Sequence, residues 1–201
     1  MGLRLRYNSP VILSFTLVSA LVLLVDQVSG GAIIRNLFTV YPDFSASSPL
    51  SWFRLVSHVV GHQGWSHLIG NFSFILLIGP VLEEKYGSLP ILLMMLVTAV
   101  ATGVLDIFVV RAGLLGASGI AFMLILLSSF TNIRQGEIPI TFILIVALYI
   151  VSELVSAFTP DTVSHLAHIA GGIIGALFGF VFSKSEAKAL PAPKLPEKPK
   201  E

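Results

Sequence analysis

The sequence contains no cysteine and few charged residues. Among its 201 residues the absence of cysteine excludes disulfide frameworks, thiol nucleophiles and cysteine-ligated metals. Only 11% of the residues are charged, against roughly 25% in soluble domains. Hydrophobic residues make up 55% of the chain. The composition therefore indicates an integral membrane protein, with much of its apolar surface facing lipid.

Long apolar segments predict membrane-spanning helices. A helix needs about 20 apolar residues, with a range of about 17–25, to cross a bilayer. We therefore predict an all-α fold, a polytopic bundle of six transmembrane helices. The six segments lie at residues 11–28, 67–82, 89–110, 116–131, 138–157 and 164–183.

The basic residues predict that both termini lie in the cytosol. With the N-terminus inside, nine of the twelve Lys and Arg residues are cytosolic and three lie outside, as the positive-inside rule requires. The first segment is alternatively a cleaved signal peptide, because Arg4 and Arg6 precede it, although no small-residue cleavage site follows. We expect a transmembrane domain over residues 1–183. Residues 184–201, rich in Pro and Lys, are expected to form a disordered cytosolic tail.

Four polar side chains fall at the outer ends of three predicted spans. His67 and Asn71 open the second span. Ser118 opens the fourth span, and His168 lies one turn into the sixth. These three spans all begin outside in the predicted topology, so the four side chains share one depth. Ionisable residues inside a membrane are costly and mark functional sites.

Small residues predict close packing between the fourth and sixth spans. His168, Gly171 and Gly175 lie on one face of the sixth span, and glycines at this spacing allow another helix to approach closely. The fourth span begins with the small residues GASG at 116–119. Packing at this point would bring His168 within reach of Ser118.

These residues are the parts of a serine hydrolase site. A serine hydroxyl is a weak nucleophile that needs a nearby base, and a neutral histidine suits that role near pH 7. Ser118 and His168 supply the pair, and Asp161 is the nearest acid, interpreted as a loop residue. The Ser118 N–H at a helix start, with the side chains of His67 and Asn71, can stabilise an oxyanion. From these residues alone, a hydrolytic site and structural polar contacts between helices both stay open.

The combination of motifs resembles the rhomboid family of intramembrane serine proteases. The resemblance covers residues 52–179 and implies a rhomboid-like six-helix bundle. It also implies a serine endopeptidase that cleaves transmembrane protein substrates. The motifs that carry it are WFR at 52–54, HQGWSHLIGN at 62–71, GPVLEEKYGS at 79–88, GASG at 116–119 and AHIAGGIIG at 167–175.

The resemblance implies a role for each residue of the site. Ser118 would be the nucleophile and His168 the general base, in a dyad without an acid. His67 and Asn71 would complete the oxyanion hole with the Ser118 amide. Some family members carry Tyr at the position of Phe122, and Phe keeps the surface that stacks on the histidine. The implied supporting residues are Phe122, Gly116, Gly119, Gly171 and Gly175.

An alternative function is a non-proteolytic rhomboid-like protein that binds client transmembrane helices. Inactive relatives typically lack the serine or the histidine of the dyad, and this chain has both. A small transporter is a third possibility, but the sequence shows no obvious inverted repeat. The motifs therefore favour the protease.

The histidines do not predict a metal site. The chain has five histidines, but it contains no HExxH motif. His62 is interpreted instead as a hydrogen-bonding loop residue near the site. We expect no metal, no cofactor and no nucleic-acid partner. The expected partners are the lipid bilayer and transmembrane substrates, for a multi-pass protein of a prokaryotic cell membrane.

Overall fold

The fold comes from a computed structural model that describes residues 7–130, 140, 143–144, 147–148, 151 and 165–189. These residues include helices and no strand, so the prediction of an all-α protein is confirmed for this part of the chain. A π-helical turn at Asp106–Val110 extends the fifth helix. The helices are α1 (Pro10–Val28), α2 (Ala32–Leu37), α3 (Pro49–Ser57), α4 (Trp65–Tyr86), α5 (Ser88–Leu105), α6 (Ser118–Phe130) and α7 (His165–Ala189).

Among the described residues, three helical segments are long and apolar enough to cross a membrane: α1, α4, and α5 together with its π-helical turn. Helices α6 and α7 contain shorter apolar stretches, Ser118–Ser129 and Ala167–Val181. Five of the six predicted spans thus coincide with helices. The remaining one, at 138–157, lies mostly outside the described residues, so the total of six spans stays a prediction.

Helix α7 continues past residue 183, where the sequence placed the start of the tail, and ends at Ala189. The added turns contain Ala, Lys and Glu, which are good helix formers. Residues 190–201, the rest of the predicted tail, lie outside the described residues.

Large apolar side chains cover the outside of the long helices. Leu77 is 73% exposed, Val81 is 65% exposed and Phe108 is 70% exposed. Exposed apolar side chains of this size are unfavourable in water and favourable against lipid tails. The exterior of the helices therefore agrees with a membrane protein.

A buried carboxylate joins α1 to the end of α4. Glu83 is only 3% exposed, and its Oε2 accepts a hydrogen bond from the backbone N–H of Ile12 at 3.0 Å. Its Oε1 accepts from the N–H of Val11 at 3.0 Å and from the hydroxyl of Ser88 at 2.7 Å. The first N–H groups of a helix have no partner within the helix. Glu83 supplies two of them with charge-assisted acceptors at the positive end of the α1 dipole.

Replacing Glu83 by Gln should destabilise the protein. The amide would keep one acceptor oxygen and turn an NH2 group toward a backbone or hydroxyl donor, at a cost of roughly 2 kcal/mol. Thermal unfolding in detergent would measure the loss. The matched control is Glu84→Gln, because the neighbouring Glu84 is exposed. Equal melting temperatures for the two variants would contradict this role of Glu83.

A single residue, Gly87, connects α4 to α5. It ends one helix and precedes the next, with φ at +88°. Residues that carry a Cβ atom are strained at this backbone angle, whereas glycine adopts it freely. The tight turn makes α4 and α5 adjacent and directs them in opposite senses, so α5 returns to the end at which α4 begins.

The loop between α1 and α4 is an ordered layer. The Asp26 Oδ1 accepts a hydrogen bond from the Ile34 N–H at 2.8 Å, which ties α2 to the end of α1. The Ser57 hydroxyl donates to the Leu37 carbonyl at 2.7 Å, which ties α3 to α2. Trp52 stays 54% exposed on this layer, as suits an aromatic ring at a membrane interface. The layer carries the chain to the start of α4.

Candidate active site

The predicted site residues meet at one end of the bundle, where α4, α6 and α7 begin. His67 and Asn71 lie in the first two turns of α4, Ser118 is the first residue of α6, and His168 lies in the first turn of α7. All four line one cavity of about 470 Å³. The cavity walls also include Gln63, Gly70, Phe74, Gly113, Leu114, Leu115, Ala121, Phe122 and Ile125.

The segment before Ser118 is held by backbone hydrogen bonds. Val40 and Leu114 form an antiparallel bridge, with N–H···O distances of 2.9 and 3.0 Å. The Gly116 N–H donates to the His58 carbonyl at 2.9 Å. Helix α6 then starts with the bond from the Ala121 N–H to the Ala117 carbonyl. Ser118 is therefore placed at a helix start, where amide groups lack intrahelical partners.

Gly116 is required both by its backbone angle and by its neighbour. Its φ of +113° is one that residues with a side chain rarely adopt. A Cβ at this position would lie 2.7 Å from Cε1 and 2.8 Å from Nε2 of His67. The absence of a side chain thus lets the His67 ring lie directly against the backbone that precedes Ser118.

Helices α6 and α7 approach each other at two glycines. A Cβ on Gly171 would meet the carbonyl oxygen of Gly119 and lie 2.8 Å from its carbonyl carbon. A Cβ on Gly175 would meet the carbonyl oxygen of Met123 and lie 2.9 Å from its carbonyl carbon. Both obstacles are backbone atoms of α6, which cannot move independently of the helix.

The close approach brings an aromatic ring of α6 against the histidine of α7. The rings of Phe122 and His168 are 4.6 Å apart between centroids and inclined at 38°. Phe122 lies one turn after Ser118, so the ring contact and the hydroxyl are on the same side of α6. This contact limits the orientations open to the His168 ring.

His62 contacts Asn71, which lines the cavity, and Ala117, which directly precedes Ser118. The His62 Nε2 lies 3.1 Å from the Asn71 Nδ2 and accepts a hydrogen bond from the Ala117 N–H at 3.4 Å. Its Nδ1 lies 3.0 Å from the Val60 carbonyl oxygen. From the sequence we expected only a loop hydrogen bond. Ala117 is too distant along the chain for any spacing rule to suggest this contact.

His58 is the second buried histidine of the loop. Its Nδ1 lies 3.3 Å from the Arg54 carbonyl oxygen, and its Nε2 lies 3.3 Å from the Thr102 hydroxyl. Burial lowers the pKa of both His58 and His62 to about 4. Both rings are therefore neutral at pH 7. Asp161, the acid considered from the sequence, lies outside the described residues.

Together, the helical fold, its apolar exterior and the cavity that gathers polar side chains at the helix starts define a membrane protein with a recessed site. A family model described as "Rhomboid domain" matches residues 49–185. The chain belongs to the rhomboid family, and the resemblance noted in the sequence is confirmed.

Several relatives carry the same family name. The chain is 26% identical over 167 residues to Rhomboid-like protein 11, chloroplastic, of Arabidopsis thaliana, covering 75% of this chain and 58% of that protein. It is 25% identical over 153 residues to Rhomboid protease GlpG of Haemophilus influenzae, covering 75% of this chain and 79% of that protein. It is 31% identical over 145 residues to Rhomboid-related protein 1 of Caenorhabditis elegans, covering 64% of this chain and only 39% of that protein. The chain thus spans little more than half of the plant protein and well under half of the worm protein.

A methyl group at the contact between α6 and α7 should destabilise the protein. Gly171→Ala and Gly175→Ala force backbone atoms apart, and overpacking of this kind costs about 1–3 kcal/mol or more. The thermal midpoint of the detergent-solubilised protein measures the effect. Gly70→Ala on α4 is the control, because a Cβ there has no neighbour within 4 Å. Unchanged midpoints for both α7 variants would disprove the close contact.

Acidification should destabilise the fold through His58 and His62. Their folded pKa of about 4 lies below the ordinary value of 6.5, so between these values the unfolded chain binds protons that the folded protein does not. Stability should therefore fall as pH falls from 6.5, by about 2 kcal/mol for each histidine at pH 5. Urea or SDS titrations across pH 5–7 measure the slope. His58→Gln should reduce it, and a slope equal to that of the wild type would contradict the assignment.

Proposed function

We propose that this protein is an intramembrane serine endopeptidase that uses a Ser118–His168 dyad. The observation that carries the proposal is the shared cavity, in which these two residues meet His67 and Asn71 at the starts of three helices. The name of the Haemophilus influenzae relative, a rhomboid protease, supports the protease activity.

The dyad performs acyl transfer in two steps. His168 takes the proton of the Ser118 hydroxyl as the oxygen attacks the scissile carbonyl carbon, and the proton passes to the leaving amine when the C–N bond breaks. Water then attacks the acyl-enzyme, releasing a carboxylic acid and restoring Ser118. The Ser118 N–H, His67 and Asn71 stabilise the negative oxygen that forms in each step.

The substrate class follows from the location of the site. A cavity among apolar helices receives a polypeptide that is itself anchored in the bilayer, and the few polar side chains in its mostly apolar lining can bind the water that hydrolysis consumes. The proposed topology has six spans over residues 1–183 and both termini in the cytosol, with residues 184–189 as the last turns of α7 and residues 190–201 as a tail. Ser118 then lies toward the outer face, and cleavage occurs within or near the transmembrane segment of the substrate.

A serine-directed fluorophosphonate tests for the activated nucleophile. The detergent-solubilised wild type should be labelled, whereas Ser118→Ala and His168→Ala should lose label and cleavage of a transmembrane substrate in liposomes by at least about 1,000-fold. Ser128→Ala is the matched control, because Ser128 lies on the same helix and its hydroxyl bonds to the Ile125 carbonyl. It should be labelled like the wild type.

The contrary result is equally specific. Equal labelling of wild type, Ser118→Ala and His168→Ala, with no cleavage in liposomes, would refute the dyad. Retained binding of transmembrane helices in that case would identify a non-proteolytic member of the family.

A further inference from the structure

His62 lies immediately behind the cavity and is almost completely buried. Its side chain is 1% exposed, in the loop that leads from α3 into α4. The ring contacts one residue from each of two cavity-forming segments, Asn71 on α4 and Ala117 before α6. It is therefore the one loop side chain described here that bonds to both segments.

The hydrogen bonds define the tautomer of His62. The Val60 carbonyl can only accept, so the Nδ1 atom at 3.0 Å carries the proton. The Nε2 atom is then the acceptor, in agreement with the Ala117 N–H that donates to it at 3.4 Å. Two independent backbone groups thus require the same tautomer.

That tautomer determines the orientation of the Asn71 amide. An unprotonated Nε2 can be paired only with a donor, so the amide NH2 faces His62 and the carbonyl oxygen faces away. The amide carries two protons, and one of them is engaged by His62. The Nδ2 atom is also 3.7 Å from a Cβ built on Gly116, which places it beside the backbone that leads to Ser118. The second proton remains for an oxyanion.

We propose that His62 is a positioning residue that orients the oxyanion donors of the site, the Asn71 amide and the backbone at Ala117–Ser118, without touching the substrate. This inference rests on the proposed serine protease function. A donor must be aimed in advance at the position where negative charge develops, because its reorientation during the reaction would cancel the gain. Through one nitrogen atom, His62 holds the Asn71 amide directly and, through Ala117, the backbone that leads to the Ser118 N–H.

A neutral ring is necessary for this role. A protonated His62 would present an N–H to the Ala117 N–H, so that this bond would be lost. The Asn71 amide would have to turn its carbonyl oxygen toward the ring, and its NH2 would no longer be held toward the oxyanion. Burial lowers the pKa of His62 to about 4, so the ring stays an acceptor at pH 7. The His67 ring, with its centroid 5.0 Å away, is the titratable group that contacts His62.

Two substitutions separate the functions of the ring nitrogens. An Asn side chain reaches the position of Nδ1 and can donate to Val60, but it leaves no acceptor at the position of Nε2. A Gln side chain extends to the position of Nε2 and supplies an acceptor oxygen there. His62→Asn should lower kcat about tenfold with KM within about twofold, and His62→Gln should recover much of that loss.

The substrate assay is cleavage of a transmembrane protein in liposomes, with His62→Asn measured alone and in an Asn71→Ala background. If His62 acts largely through Asn71, its substitution should lower kcat by no more than about twofold once Asn71 is absent. Effects that multiply in the double variant would instead show that His62 acts independently of Asn71 and would overturn the proposed orientation of the Asn71 amide.

His58→Asn is the matched control for burial. His58 is also 1% exposed, but its ring bonds to Arg54 and Thr102 rather than to the site. Its bond to Gly116 uses only the backbone carbonyl, which a side-chain substitution leaves in place. When the two proteins are compared at equal fractions folded, the kcat of His58→Asn should be within about twofold of the wild-type value. A loss of kcat as large as that of His62→Asn would reduce the role of His62 to general packing.

Amide hydrogen exchange gives a readout that does not depend on activity. The amide of Ala117 should exchange at least about tenfold faster in His62→Asn than in wild type, and His62→Gln should restore slow exchange. Unchanged exchange would overturn the proposed contact. Absence of Ser118-dependent cleavage by the wild type would refute the proposed function, whereas Ser118-dependent cleavage at full rate in His62→Asn would refute only the role of His62.

Discussion

Helices α6 and α7 lie so close together that hydrogen is the only substituent that fits at Gly171 and Gly175. Their opposing surfaces are backbone atoms of Gly119 and Met123. Within lipid, where burial of apolar area gives little drive for helices to associate, such close contact supplies dispersion energy instead. It also fixes the rotation of α7 about its axis. The ring contact between His168 and Phe122 depends on that rotation, because one step along either helix turns a side chain by about 100°.

The polar groups of the site lie in the first turns of three helices. Three helices begin at the same end of the bundle, so amide groups without intrahelical partners and polar side chains collect around one cavity. The loop layer then closes the rear of this cavity. His58 contributes a backbone carbonyl to Gly116, and His62 contributes a ring nitrogen to Asn71 and Ala117. Loop and helices therefore form a single hydrogen-bonded support for the proposed oxyanion site.

Much of this arrangement was predictable because it is periodic or local. The helices α1, α4 and α5 follow from apolar runs long enough to cross a bilayer. The packing of α6 on α7 follows from the spacing of Gly171 and Gly175. The contact of His62 with Ala117 was not predictable, since it joins a loop to a helix start 55 positions away along the chain. Neither was the role of Glu83, which appeared only as part of a motif and proves to bond the start of α1.

The sequence by itself determined the membrane environment, the helical class and the family, because composition, apolar length and motif spacing are properties of the chain alone. It also identified Ser118, His168, His67 and Asn71 as candidates, since polar residues at span ends stand out against an apolar background. Only the tertiary structure decided that the His67 ring packs against the backbone of Gly116 and that the Nε2 atom of His62 contacts Asn71. Such contacts depend on distances and on side-chain orientation between separate segments, and one sequence contains no local signal for either.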